Sequence, residues 1–105
     1  MNQANALSIP MPYKVFIDDN FHYAEAETRI PHGEFETLSA AIAACQKIVD
    51  EFLASAYEPG MTAKDLNATY VMFGDDPWIF GAGSVPFSGR DYARERCVEI
   101  CQRGL

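Results

Sequence analysis

The sequence predicts an α+β domain, a two-layer sandwich of element order ββαββα in which an antiparallel sheet has two helices packed on one face. The segment Tyr13–Tyr23, YKVFIDDNFHY, has the pattern of a β-hairpin with an acidic tip. The segment Tyr70–Phe80, YVMFGDDPWIF, repeats its frame of aromatic residues around an Asp-Asp pair. A helical pattern follows each copy. We therefore predict an internal ββα repeat over residues 13–57 and 68–103.

Length and composition are those of one ordinary globular domain. The chain has 105 residues, of which 49% are hydrophobic and 22% are charged. The formal net charge is -7, from 15 acidic and 8 basic residues. Because nucleic acids and anionic membranes require a basic surface, neither is predicted to be a partner.

The three cysteines, Cys45, Cys97 and Cys101, are an odd number without a C-x-x-C pair. This pattern is atypical of a disulfide framework or a zinc site, and it favours a reducing, cytoplasmic location. Their positions on apolar helix faces favour core packing. The alternative is a thiol sensor.

The first half of the chain divides into an arm, a hairpin and a helix. Residues 1–12 are predicted to be a flexible or extended N-terminal arm without a secretory signal, and residues 13–105 the single α+β domain. Tyr13–Asp18 and Phe21–Arg29 read as the two strands of the hairpin, because β-branched and aromatic residues dominate the first of them. The Pro-His-Gly sequence at 31–33 is predicted to be a turn.

The helix from Leu38 to about Tyr57 has the clearest pattern in the sequence. Thr37 is its predicted N-cap, and Pro59-Gly60 ends it. Its apolar stripe recurs at i, i+3, i+4 and i+7 and comprises Leu38, Ala41, Ile42, Cys45, Ile48, Val49, Phe52, Leu53 and Ala56. This helix is predicted to face the core.

The second half is predicted to repeat the first. Residues 62–67 read as a short helical turn, 68–73 as a strand, 74–77 as a turn and 78–82 as a returning strand. The alternative extends the short helix through Phe73.

A last helix is predicted to begin at Ser88. Ser88 and Asp91 have capping-box spacing, and Phe87 with Tyr92 can form a hydrophobic staple. The helix holds half of the basic charge, at Arg90, Arg94, Arg96 and Arg103. These arginines are predicted to pair with neighbouring acids, and an anion or partner site is the alternative.

Surplus aromatic residues on the predicted strands indicate a binding surface. If Tyr13 and Tyr70 face the core, Phe16 and Phe73 face away from it. The candidate interaction surface comprises Phe16, Phe73, Trp78 and Ile79. An exposed apolar sheet face of this kind is typical of a partner surface, and a homodimer is the first candidate because two-fold assemblies are the commonest. The alternative is that the N-terminal arm covers this face.

The acidic tips indicate a second, alternative site for a metal ion or for acid–base chemistry. Its residues are Asp18, Asp19, His22, Asp75 and Asp76. Carboxylates and imidazole are suitable ligands for divalent ions. However, adjacent residues of an extended chain point to opposite faces, so turn formation is the favoured role of each Asp-Asp pair. No catalytic residue, resident metal or cofactor is predicted.

The stretches PYKVFIDDNFHY, AAIAACQKIVDEFL, FGDDPWIF and FSGRDYARERC together resemble a family of small uncharacterised bacterial proteins with no assigned activity. The resemblance covers residues 12 to about 101 and implies one self-contained cytoplasmic domain. The sequence thus predicts a non-enzymatic binding or assembly module that acts through an aromatic sheet face on a protein or small-molecule partner. The alternative is a small enzyme or a metal-dependent ligand binder.

Overall fold

The computed structural model describes residues 11–22, 29–81, 83 and 86–103. It confirms the α+β class and the antiparallel sheet, but the order of elements is ββααβα and three helices pack against the sheet. In chain order the elements are β1 (Tyr13–Asp19), β2 (Ile30–Phe35), α1 (Leu38–Ala56), α2 (Ala63–Phe73), β3 (Asp75–Phe80) and α3 (Gly89–Arg103). Among the described residues, no helix has the length and apolar character needed to cross a bilayer.

Strand β1 lies at the centre of the sheet, in the order β2-β1-β3, and both neighbours run antiparallel to it. Opposite β3, Val15 pairs with Ile79 and Phe16 pairs with Trp78. Alternation along the strands therefore puts Val15 and Ile79 on the face that the helices cover. Phe16 and Trp78 lie on the opposite face, which we call the open face because no helix of the described part of the chain covers its centre.

The predicted second strand, residues 21–29, is wrong at its two ends. Residues Asn20–His22 form a single 3-10 turn and β2 begins only at Ile30, whereas residues 23–28 lie outside the described part of the chain, so the prediction for them stays untested. The predicted turn at residues 31–33 instead lies inside β2. The register shifts there, since Gly33 faces Val15 whereas Pro31 faces Phe16. This bulge on an outer strand accommodates the proline and glycine that a central strand would exclude.

The predicted strand at residues 68–73 is also wrong, and the alternative helix is correct. Helix α2 is capped by Thr62, whose Oγ1 accepts a hydrogen bond of 3.1 Å from the Asp65 N–H. Leu66 and Tyr70 follow at i, i+4 spacing, and both are fully buried. This helical pair outweighs the β propensity of the aromatic residues.

The segments that the predicted repeat equates therefore differ in secondary structure. Tyr13 lies on a strand and Tyr70 on a helix. Asp75 and Asp76, predicted to form a hairpin tip, are instead the first residues of β3. The second hairpin of the predicted ββα order is thus absent, and a helix leads directly into the strand.

Helix α1 was predicted correctly and organises the core. Thr37 caps it by accepting from the Ala40 N–H at 3.1 Å. One side of α1 packs on the sheet in a cluster of Val15, Ala41, Cys45, Ile48 and Ile79. The other side packs on α2 and α3 in a cluster of Val49, Leu53, Leu66, Tyr70, Ala93, Cys97 and Ile100. Helix α1 therefore lies between the two clusters and contributes residues to both.

Helix α3 also has its predicted beginning. The Ser88 hydroxyl accepts from the Asp91 N–H at 3.2 Å. The rings of Phe87 and Tyr92, the predicted staple, have centroids 5.7 Å apart. Together these contacts fix the first turn of α3 beside the start of β3.

Candidate functional site

The open face of the sheet has one aromatic pair at its centre. Phe16 and Trp78 are cross-strand partners, and their rings stack with centroids 5.1 Å apart. The guanidinium of Arg29 lies 4.9 Å from the centre of the Trp78 ring and donates to both carboxylate oxygens of Asp18, at 2.7 and 3.2 Å. This cation therefore covers part of the aromatic surface and neutralises the nearest acid.

Phe73 does not lie on that face. It is the last residue of α2, and its ring stacks on Phe21 with centroids 5.5 Å apart. Phe21 is 62% exposed, Phe73 is 50% exposed and the preceding residue, Met72, is 59% exposed. We call Phe21, Met72 and Phe73 the tip patch. The sequence pattern did not indicate Phe21 and Met72, because both segments have the residue types of strands.

Ile79, the remaining residue of the predicted surface, is 8% exposed and belongs to the core between the sheet and α1. The four nominated residues are thus distributed over three places. Phe16 and Trp78 lie together on the open face, Phe73 lies in the tip patch and Ile79 is buried.

A buried asparagine holds the tip patch in place. The Asn20 N–H donates to the Gly74 carbonyl and its side-chain Nδ2 donates to the Tyr70 carbonyl, both at 2.9 Å. Asn20 is 7% exposed, and its Oδ1 has no hydrogen-bond partner. These bonds attach the 3-10 turn to the C-terminal end of α2. Phe21 is therefore fixed beside Phe73, and the patch is preorganised.

The two Asp-Asp pairs come together at one end of the sheet. Asp18 pairs with Asp76 and Asp19 with Asp75 across β1 and β3. The described residues nevertheless include no group of three or more acidic, histidine or cysteine side chains arranged to hold a metal ion. Alternation along the strands separates the members of each pair, as the sequence predicted.

Asp19 and His22 form a local contact at this end of the sheet. The carboxylate of Asp19 accepts from the Phe21 N–H at 2.9 Å and lies 3.1 Å from Nδ1 of His22. The hydrogen bond with His22 and then that with the Phe21 N–H lower the pKa of Asp19 below its usual value. This carboxylate therefore remains ionised and supports the 3-10 turn.

Asp76 is the most constrained carboxylate of the group. Burial raises its pKa above the usual value of 3.8, although the hydrogen bond from Tyr70 and the charge of Arg90 oppose the shift. The Tyr70 hydroxyl lies 3.2 Å from the Asp76 carboxylate and 2.9 Å from the Asp75 carbonyl. A cavity of about 280 Å³ lies between Asp76, Trp78 and the first turn of α3. These contacts give Asp76 a structural role at the junction of α2, β3 and α3.

The cysteines and the arginines of α3 have structural surroundings. All three thiols are free, and burial raises the pKa of Cys45 to about 12 and of Cys97 to about 11, so both remain protonated. Arg96 bonds to Asp50 at 3.0 Å and to Glu99 at 3.1 Å. Arg94 bonds to Asp91 at 3.0 Å. Pairing with acids, as the sequence predicted, thus accounts for these two arginines.

Comparison of the chain with protein-family models, with characterised proteins and with solved structures gave no match. The resemblance to a family of small bacterial proteins therefore stays a prediction. Any functional assignment rests on the surfaces described above.

Proposed function

We propose that the protein is a non-enzymatic binding module of the reducing cytoplasm that acts through exposed aromatic residues, with the tip patch as its main contact surface. The observation that supports this proposal is the stack of Phe21 on Phe73, in which both rings are at least half exposed. Contiguous exposed apolar surface of this kind commonly marks a partner site. Aromatic residues are also among those that contribute most to binding energy.

The rigidity of the tip patch strengthens the proposal. Asn20 fixes the turn to α2 through two hydrogen bonds, so Phe21 and Phe73 have little freedom to lose on binding. Taking about 200 Å² for a large side chain, the exposed parts of the three residues sum to roughly 340 Å². At about 25 cal/mol per Å², their burial supplies at most about 9 kcal/mol. Association costs about 4–15 kcal/mol, so contacts around the patch must contribute as well.

Replacing both rings, Phe21→Ser with Phe73→Ser, is expected to abolish binding of a short amphipathic peptide built from leucine and glutamine. Binding is lost because the two serines no longer offer an apolar contact to the peptide. Peptide binding is measured by nuclear magnetic resonance titration of the labelled protein, through shifts of the amide signals of residues 20–22 and 72–74. Because both rings are exposed, we expect the folded state to lose only about 1 kcal/mol.

Phe80→Ser is the matched control. Phe80 is 57% exposed and lies at the opposite end of β3, about 17 Å from Asp75 at about 3.3 Å per residue. This variant should bind the peptide as the unmodified protein does. If the unmodified protein shows no shifts at the tip patch, or if the double variant binds equally well, the proposal is wrong.

The Phe16–Trp78 pair favours a second candidate, self-assembly through the open sheet face. A two-fold axis in the plane of the interface, through this pair and perpendicular to the strands, would place Lys14 near Asp18 of the partner. Lys14 and Asp18 are about 13 Å apart along β1, at about 3.3 Å per residue. The face measures only roughly 300 Å², from strand spacing and rise. Since standard interfaces bury about 800 Å² per partner, we expect a weak dimer.

Lys14→Glu is expected to lower the dimer fraction seen by sedimentation velocity over a concentration series, because it replaces attraction by repulsion across the two-fold axis. Lys47→Glu, on the exposed side of α1, is the control and should leave the fraction unchanged. A protein that sediments as a monomer at every concentration would rule out this second candidate and leave the tip patch proposal intact.

A further inference from the structure

The rim of the tip patch is acidic. Asp19 accepts from the backbone N–H of Phe21, so its carboxylate lies at the backbone of one residue of the patch. Asp75 is two residues from Phe73 and faces Asp19 across β1 and β3. Both strands that end at the patch therefore have an aspartate as their terminal residue there.

The negative charge of this rim is only partly compensated. Asp18, the next acid along β1, is paired with Arg29 through two hydrogen bonds. The carboxylate of Asp19 has Nδ1 of His22 at 3.1 Å as its neighbour. Much of Asp75 is exposed; partial burial of its carboxylate raises its pKa, and repulsion from Asp19 raises it further. Asp19 and Asp75 thus present a pair of close negative charges beside three exposed apolar side chains.

We infer, on the basis of the proposed function, that the tip patch binds a partner-protein segment that combines apolar side chains with lysine or arginine. The apolar side chains of the segment cover Phe21, Met72 and Phe73, and its cations lie against Asp19 and Asp75. The contacts of these cations add to the apolar burial, which alone does not offset the cost of association. Positive charge on the segment also favours its encounter with a protein whose net charge is -7.

Charge repulsion disfavours two other occupants of this patch, a second copy of the protein and an anionic membrane. Two copies meeting at their tip patches would bring Asp19 and Asp75 of each close to those of the other, and like charges at an interface oppose association. An anionic membrane would be repelled for the same reason. A basic apolar segment is the occupant whose charge and apolar character both complement the patch.

The test uses three peptides with the same leucine spacing, whose remaining positions are lysine, glutamine or glutamate. Binding is measured by amide shifts of the labelled protein at about pH 8, well above the ordinary carboxyl pKa values. At low salt, the lysine peptide is expected to bind roughly tenfold more tightly than the glutamine peptide, and the glutamate peptide more weakly than both. Raising the salt from about 0.1 M to about 1 M shortens the screening length from about 10 Å to about 3 Å and should remove this preference.

The double variant Asp19→Asn with Asp75→Asn should bind the lysine and glutamine peptides equally. Both asparagines retain a side-chain oxygen, and the Asp75 carbonyl that accepts from Tyr70 belongs to the backbone. The matched control is Glu58→Gln with Asp65→Asn, which changes the charge equally near the other end of α2. That helix has 11 residues and a length of about 16 Å. The control should keep the preference for lysine.

Each outcome bears on one of the two proposals. A lysine preference that the rim variant removes and the control retains supports the inference. Equal binding of the three peptides at the tip patch overturns the inference while the proposed function stands. A lysine preference that survives in the rim variant also overturns it, because the cations then bind elsewhere. If none of the peptides binds, the proposed function itself fails.

Discussion

Tyr70→Ala is expected to destabilise the protein by about 3–5 kcal/mol, as measured by urea unfolding at neutral pH. Tyr70 is fully buried, has the largest side chain of the fully buried residues, and packs among α1, α2 and α3. Its removal leaves a cavity and also withdraws the donor to Asp76. Since a domain of this size has about 5–15 kcal/mol of stability, the loss is a large share of the total. A loss below 1 kcal/mol would contradict the role assigned to this ring.

Tyr70→Phe separates the hydroxyl from the ring. It should cost about 1–3 kcal/mol at neutral pH, because Asp76 and the Asp75 carbonyl lose a donor. Losing the donor raises the pKa of Asp76 further above its unfolded value of 3.8. A raised carboxyl pKa lowers stability as pH rises from the unfolded towards the folded pKa. The cost should therefore be smaller below about pH 3, where Asp76 is largely protonated in both states, and equal costs at both pH values would contradict this account.

Gly89→Ala is the second change with a large expected effect, about 1–3 kcal/mol of lost stability. A Cβ at Gly89 would collide with the Asp76 carboxylate, would lie 2.7 Å from the Tyr70 hydroxyl and would lie 3.4 Å from Cδ of Pro77. The added methyl group must therefore displace the Asp76 carboxylate and the Tyr70 hydroxyl, which are hydrogen-bonded to each other at the junction of α2, β3 and α3. Thermal or urea unfolding measures the loss.

Gly33→Ala is the matched control for this glycine. A Cβ there meets only the ring of Phe35 at 3.5 Å, an ordinary contact, and Gly33 does not require a positive φ. We expect its stability to change by about 0.5 kcal/mol or less. Equal destabilisation by the two substitutions would show that the loss comes from glycine replacement in general and would contradict the collision at Gly89.

Local patterns predicted the helices better than the strands. The stripe of α1 and the caps at Thr37 and Ser88 depend on residues within a few positions, so the sequence alone locates them. The segment 70–73 is different, since its aromatic and β-branched residues are typical of a strand. Its helical state depends on burial of Tyr70 against Phe52 and α3, which sequence spacing does not reveal.

For the candidate site too, local patterns predicted some features, whereas tertiary contacts determine the others. The sequence placed Phe16 and Trp78 among the outward aromatic residues, and alternation along β1 and β3 brings them together. It also related the two Asp-Asp pairs, but as tips of two similar hairpins rather than as neighbours across β1 and β3. The sequence did not indicate the pairing of Phe21 with Phe73. That contact requires the 3-10 turn and the end of α2 to meet through Asn20.

The two prolines in the outer strands have a consequence for how this protein can associate. Pro31 lies in β2 and Pro77 in β3, so each strand that borders the sheet lacks one backbone N–H. Extending a sheet with a further strand requires a continuous row of donors and acceptors at its border. Growth by strand addition is thereby discouraged on both sides. In the described part of the chain, the exposed rings of Phe21 and Phe73 thus accompany a sheet whose two outer strands are each interrupted by a proline.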